Sequence, residues 1–227
     1  MIAIIDKRVS ATIKNNLKKY AEVIEFQTDN ITYNSISGHP DIFFTKVDKN
    51  LYIPLNLPES YVKILEEHKI SYNIVNQKVG IKYPQSAILN IATNEKYIFH
   101  NEKITPKEII ENNKEKKFIS VKQGYTRCSL IPLPDLYITS DMGVYNQLLN
   151  NNLKVIYVTN ENIIIEDYDK GFIGGTTGII GNIIFFTGSL KHYSWGEKLR
   201  KYIEQQNFEI IELSNEKLLD CGTIIFI

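Results

Sequence analysis

Asp220-Cys221-Gly222-Thr223-Ile224-Ile225-Phe226-Ile227 reads as a first strand without the rest of its unit: a polar, Gly-containing start runs into an apolar strand, and no helix or second strand follows. The other end of the chain has what this segment lacks. Ile2-Ala3-Ile4-Ile5 reads as a buried strand, Ser10 as the N-cap of a helix through Tyr20, and Val23 to Phe26 as a closing strand. Between them lie four more starts of the same character: Gly38-His39-Pro40-Asp41, Tyr83-Pro84-Gln85-Ser86, Tyr125-Thr126-Arg127-Cys128 and Gly174-Gly175-Thr176-Thr177. They recur every forty-odd residues, the period of propellers and solenoids.

Each start leads into an apolar strand, a second strand, an amphipathic helix and a closing strand. After Asp41 come Ile42-Phe43-Phe44, a turn at Asp48-Lys49-Asn50, Leu51 to Ile53, a helix from about Pro58 to His68, and Tyr72 to Val75. The next unit has Ala87 to Ala92, Lys96 to Phe99, a helix opened by Thr105-Pro106, and Phe118 to Val121. Then follow Cys128 to Leu133, Leu136 to Thr139, a helix capped by Ser140 or Asp141 and running through Leu149, and Lys154 to Val158. The last complete unit has Ile179 to Phe186 around Gly181-Asn182, a helix from about Ser194 to Gln205, and Phe208 to Leu213. With the unit split across the termini this makes five, and the pattern predicts a five-bladed α/β-propeller, one domain over residues 1–227. An open α/β sheet is the ordinary alternative. It leaves the pairing of the two chain ends without a reason.

Composition narrows the function. Lys+Arg and Asp+Glu number 26 each, so the formal net charge is zero and the basic footprint of nucleic-acid binding is missing. The longest apolar stretches, such as Ile179 to Phe186, are too short to span a membrane, and the opening residues do not have the form of a secretion signal. Two cysteines do not make a disulfide framework. A cytoplasmic protein acting on a small molecule is the expectation, and no signal for an oligomeric state is readable.

In a ring the five starts converge. The polar residues expected at the centre are His39 and Asp41, Gln85 and Ser86, Arg127 and Cys128, Thr176 and Thr177, and Asp220 and Cys221. A cysteine, a histidine and carboxylates in one concave site are the ingredients of nucleophilic catalysis, with a thiolate attacking and an imidazole moving protons. Each also has a plainer reading: a buried apolar cysteine, a turn histidine before proline, a capping aspartate. Arg127 fits a substrate carboxylate, a thiolate neighbour or a structural ion pair. Cys128, Cys221 and His39 would together make three zinc ligands with an open position, but no Cys-x-x-Cys pair supports a metal. Gly171 to Gly178 enters a strand instead of opening a helix, so the glycines fit close backbone approach better than a nucleotide loop. His68 and His100 read as surface positions, and His192 and Trp195 as packing or rim residues.

Two stretches resemble the guanidine-modifying, or pentein, superfamily of α/β-propellers, which includes arginine deiminases, dimethylarginine dimethylaminohydrolases and amidinotransferases. His39-Pro40-Asp41-Ile42-Phe43-Phe44 is similar to the superfamily's His-x-Asp-x-x-Phe segment, and Arg127-Cys128-Ser129-Leu130-Ile131-Pro132 to its Arg-Cys-x-x-x-Pro segment. The resemblance implies Cys128 as nucleophile, His39 as general acid/base, Asp220 as the carboxylate that orients His39, and Asp41 as the guanidinium-binding acid. Arg127, Gln85, Thr176 and Thr177 would complete the substrate site. It also implies a covalent thiouronium-like intermediate on a guanidino or amidino substrate, and it calls for neither a cofactor nor a metal. Two features depart from the pattern. Two further units follow Cys128, so the blades must be circularly permuted, and Gly174-Gly175-Thr176-Thr177 stands where a second guanidinium-binding acid belongs. Gln123-Gly124-Tyr125-Thr126-Arg127-Cys128, Gly171 to Gly175 and His192 also resemble an uncharacterised bacterial family of predicted guanidine-modifying fold. The alternative within the same superfamily is a non-catalytic propeller that binds a small ligand or a protein, as its ribosome anti-association factor does.

Overall fold

The computed structural model describes residues 1–227. Strand β1 (Ile2–Asp6) is followed by helix α1 (Ala11–Leu17), capped by the Ser10 side chain, and by β2 (Glu22–Phe26), which lies parallel to β1. The next blade holds β3 (Thr45–Val47), β4 (Asn50–Pro54), α2 (Glu59–Glu67) and β5 (Tyr72–Val75). Then come β6 (Ala92–Thr93), β7 (Tyr97–His100), α3 (Lys107–Glu111) and β8 (Lys117–Ser120). The fourth blade starts with a short helix, α4 (Thr126–Ser129), before β9 (Leu130–Pro132), β10 (Tyr137–Thr139), α5 (Met142–Asn150) and β11 (Val155–Tyr157). The fifth has β12 (Thr177–Ile180), β13 (Ile183–Phe186), α6 (Gly196–Glu204) and β14 (Glu209–Glu212). Strand β15 (Ile225–Phe226) returns to β1, pairing Ala3 with Phe226 and Ile4 with Ile225.

Five three-stranded sheets result, each with an antiparallel pair, a hairpin in all but the sheet shared by the chain ends, and a parallel third strand reached through a helix. The helices are held by short apolar stripes. Ile13 and Leu17, Val144 and Leu148, and Leu199 and Ile203 are buried at four-residue spacing, on one face of each helix. Burying each such side chain is worth about 1.5–3 kcal/mol. No helix is long and apolar enough to cross a membrane.

Hydrogen bonds between successive inner segments close the ring. Thr45 Oγ1 donates to Leu89 O, and Arg127 N to Asn90 O at 3.0 Å. Arg127 Nη1 reaches Gly174 O, Cys221 N donates to Gly175 O at 3.1 Å, and Asp41 N donates to Gly222 O at 3.1 Å. The fold is the five-bladed α/β-propeller.

The innermost strands are shorter, and begin later, than their apolar runs suggest. Residues 40–42, 85–87 and 174–176 form single 3-10 turns, and Cys128 lies in α4 instead of in a strand. Backbone converging on an axis has no neighbouring strand to pair with, so its buried groups bond locally. Phe43 N to Pro40 O and Ala87 N to Pro84 O, at 2.9 and 3.0 Å, are such bonds.

Candidate active site

The inner segments do not surround one shared cavity. Their polar residues meet and fill the axis, leaving a recess at each end. Donor atoms of His39, Asp41 and Cys128 lie within 4.8 Å of one another, and all three residues are buried. Cys128 Sγ donates to Asp41 Oδ2 at 3.0 Å, and Thr223 Oγ1 donates to the same oxygen at 2.9 Å. Asn90 grips Cys128 from the neighbouring blade: its Oδ1 accepts from Cys128 N at 3.0 Å, and its Nδ2 donates to Sγ at 3.2 Å. Two buried atoms of these residues, His39 Nδ1 and Asp41 Oδ1, have no hydrogen-bond partner.

Burial dominates the electrostatics. Desolvation raises the Asp41 carboxyl to about 6, although the bonds from Cys128 and Thr223 and the Arg127 charge pull it down. Asp220 is pushed to about 7 by burial and by Asp41, against the hydrogen bond from Phe172 N. The Cys128 thiol is raised well above its ordinary range by burial first and then by Asp41 and Asp220. Imidazole His39 is lowered to about 4 by burial, with Asp6 opposing and Arg8 reinforcing the shift. At neutral pH the cluster therefore holds a thiol and a neutral imidazole.

His39 opens onto a recess of about 240 Å³, walled by Asp6, Arg8, Ser35, Glu166, Asp220 and Cys221. Arg8 is its one cation, and it is committed: Nε donates to Asp6 Oδ1 at 2.9 Å, Nη2 to Asp6 Oδ2 at 2.6 Å, and Nη1 is paired with Glu166. Glu166 belongs to the connection after β11, which is tied down where Asp220 N donates to Ile164 O at 2.7 Å. Three carboxyls, of Asp6, Glu166 and Asp220, thus face one guanidinium. A larger cavity, about 370 Å³, lies at the far ends of the inner strands, away from His39 and Cys128.

The remaining expected site residues are dispersed. Asp220 is buried near the cluster, but its oxygens accept from Phe172 N at 2.8 Å and Gly222 N at 3.1 Å, not from His39. It holds Gly222, whose α-carbon packs against the imidazole. Arg127 turns to the larger cavity. Thr176 and Thr177 hydroxyls close their own turn, donating to Ile173 O and Gly174 O at 2.7 and 2.8 Å. Gln85 is exposed, because the chain reaches the axis five residues later, at Asn90. Cys221 lines the recess beside His39 but is not among the three clustered donors, so the Cys128–Cys221–His39 metal trio is not assembled; His39, Asp41 and Cys128 are close enough to share one cation. His100, expected at the surface, is fully buried, bonded to Ala87 O, Gly124 O and Thr105 Oγ1.

Sequence reasoning missed Asn90, Asp6, Arg8 and Thr223. Asn90 stands two residues before β6, as Cys128 stands two residues before β9, and that phase was a readable signal. Asp6 ends the middle strand β1 and Arg8 follows it in the turn, both outside the inner starts.

The chain belongs to the family of unknown function DUF6873, whose family model matches residues 4–225. No curated protein matches it. Among solved structures it is similar to DDAH from Pseudomonas aeruginosa complexed with citrulline, with 8% identity over 94% of this chain and 91% of that one and a TM-score of 0.55. SxtG, an amidinotransferase from Microseira wollei in the saxitoxin biosynthetic pathway, gives 10% identity over 94% and 88% and a TM-score of 0.59. ArgZ, an arginine dihydrolase from cyanobacteria, gives 9% identity over the whole of this chain and 39% of that one, with a TM-score of 0.57. The chain therefore has the pentein fold.

Proposed function

We propose that this DUF6873 member is a cysteine-dependent hydrolase or transferase that cleaves a C–N bond of a small guanidino or amidino compound. The observation that carries this is the meeting of Cys128, His39 and Asp41 beside a recess where carboxyls outnumber cations. Buried acids without a counter-ion are complementary to a delocalised cation. The likeness in fold to DDAH, SxtG and ArgZ supports the substrate class. Both cysteines are free and buried, which suits a reducing cytoplasmic setting.

The chemistry starts from the neutral pair. An amidinium taking the place of the thiol hydrogen on Asp41 brings positive charge to Cys128, and the thiol proton passes to His39. The thiolate adds to the amidinium carbon, forming C–S. His39 returns its proton to the departing nitrogen as C–N breaks, leaving a thiouronium on Cys128. Water then gives a proton to His39 and adds to that carbon, C–S breaks, and the proton goes back to sulfur; an amine in place of water makes the reaction a transfer. Asp6, the carboxylate acting on His39, favours the transient imidazolium. Asp220 seats His39 through Gly222.

The test compares chloroacetamidine with neutral chloroacetamide, reading Cys128 and Cys221 separately by mass spectrometry and normalising to a small thiol. Preference for the cationic reagent at Cys128, absent at Cys221 and lost in Asp41→Asn and His39→Ala, is the expected result. A ratio at Cys128 equal to that of the small thiol would overturn the reading. It would favour a non-catalytic propeller, the account to which the deep burial of Cys128 otherwise points.

A further inference from the structure

The larger cavity, at the far ends of the inner strands, receives residues from all five of them: Thr45, Thr93, Pro132, Ile179 and Ile225 are examples. Arg127 lines it and is buried. Its guanidinium makes three hydrogen bonds, Nη1 to Leu130 O at 3.1 Å and Gly174 O at 3.2 Å, and Nη2 to Thr177 Oγ1 at 3.4 Å. All three acceptors are neutral. A guanidinium has five N–H donors, so Nε–H and one Nη2–H are unused. None of the eight ion pairs of the molecule involves Arg127, although the buried Asp41 carboxyl acts on it through space. A buried cation without a counter-ion is costly unless an anion reaches it.

The other charges of the cavity stand at its rim. Lys46 Nζ donates to Phe226 O at 3.0 Å and pairs with no acid. Asp48 is neutralised by Lys116 at 2.8 Å, which leaves Glu95, an exposed residue, as the one unpaired acid. Between rim and floor, apolar side chains such as Leu133, Phe208 and Phe226 alternate with Thr45, Thr93 and Thr223, whose hydroxyls already donate elsewhere.

We propose that this cavity binds a small organic carboxylate, whose two oxygens take the free edge of Arg127 while its apolar body lies against the strand walls and Lys46 closes over it. A planar carboxylate suits the two remaining donors of a planar fork, and the walls offer few donors for the additional oxygens of a phosphate. The site is separate from the recess at His39 and needs no reaction at Cys128.

Isothermal titration of the whole protein with isovalerate, and with isovaleramide as its neutral isostere, tests this. Saturable binding of the acid is expected, with the amide weaker by roughly tenfold. Lys46→Gln, at an exposed position that leaves the fold intact, should weaken the acid by roughly threefold or more and leave the amide unchanged. Arg127→Lys should weaken it further, because the fork is lost while the charge is kept. Cys128→Ala and His39→Ala should bind isovalerate as the wild type does. Equal affinity for acid and amide, indifference to Lys46→Gln, or loss of binding in Cys128→Ala would overturn the proposal.

Discussion

Replacing Gly222 by alanine tests how tightly the centre of the ring is built. Gly222 has φ +70°, and a β-carbon there would lie 2.1 Å from His39 Cβ and 2.3 Å from His39 Cγ. Gly181 provides a matched control. It sits in the turn between β12 and β13 with φ +55°, and a β-carbon added to it meets nothing within 4 Å. The backbone cost of a side chain in the left-handed region is shared, about 1–2 kcal/mol. Only Gly222→Ala adds the clash with the His39 side chain, an overpacking cost of about 1–3 kcal/mol. Gly181→Ala should therefore lose about 1–2 kcal/mol and Gly222→Ala about 2–5 kcal/mol. At roughly 2–4 °C per kcal/mol for a chain of this size, the second variant should melt several degrees below the first. Differential scanning calorimetry on the two variants and the wild type measures the gap. Equal melting temperatures would mean that the centre yields easily, and the account of His39 as a side chain fixed by its packing would be wrong.

The buried titrating groups oppose one another between about pH 4 and 6.5. Asp41 and Asp220, held at about 6 and about 7 against an ordinary 3.8, contribute stability that is complete at low pH and lost as pH rises through those values. His39 and His100, held at about 4 against an ordinary 6.5, contribute stability that is complete above 6.5 and lost as pH falls. Urea unfolding of the wild type should accordingly change little across that interval, whereas Asp220→Asn should become less stable on acidification, by up to about 1.4 kcal/mol per pH unit; parallel profiles would refute the balance. Asn90→Ala removes the acceptor of a buried Cys128 N–H and should cost about 1–3 kcal/mol in denaturant midpoint analysis, while slowing alkylation of Cys128 by withdrawing the donor that favours thiolate. Unchanged stability would show that this backbone group finds another partner.

Much of the fold was legible because its units are local. Alternating apolar strands, Ser10 and Asp141 caps and the four-residue stripes of α1, α5 and α6 are properties of short stretches, and they place these helices within a few residues. The errors lie where the chain leaves regular structure. Ile42-Phe43-Phe44 and the residues from Ala87 onward are apolar because the axis buries them, not because they pair as strands. Burial and strand pairing leave the same apolar signature in a short run.

The sequence by itself determined the repeat, the sharing of one blade by the two chain ends and the nearness of His39, Asp41 and Cys128, since a ring with one start per blade brings those starts to one axis. Only the tertiary structure decided how the polar residues divide at that axis. Asp220 turned to backbone amides instead of the imidazole, Arg127 turned to the opposite cavity, Gln85 remained in solvent while Asn90 took the inner position of its blade, and Asp6 and Arg8 entered from positions no motif marks. Which way a side chain points at a crowded axis depends on where buried donors and acceptors find partners across blades, 38 and 47 residues apart for Asn90–Cys128 and Arg127–Gly174, and a local pattern does not encode that.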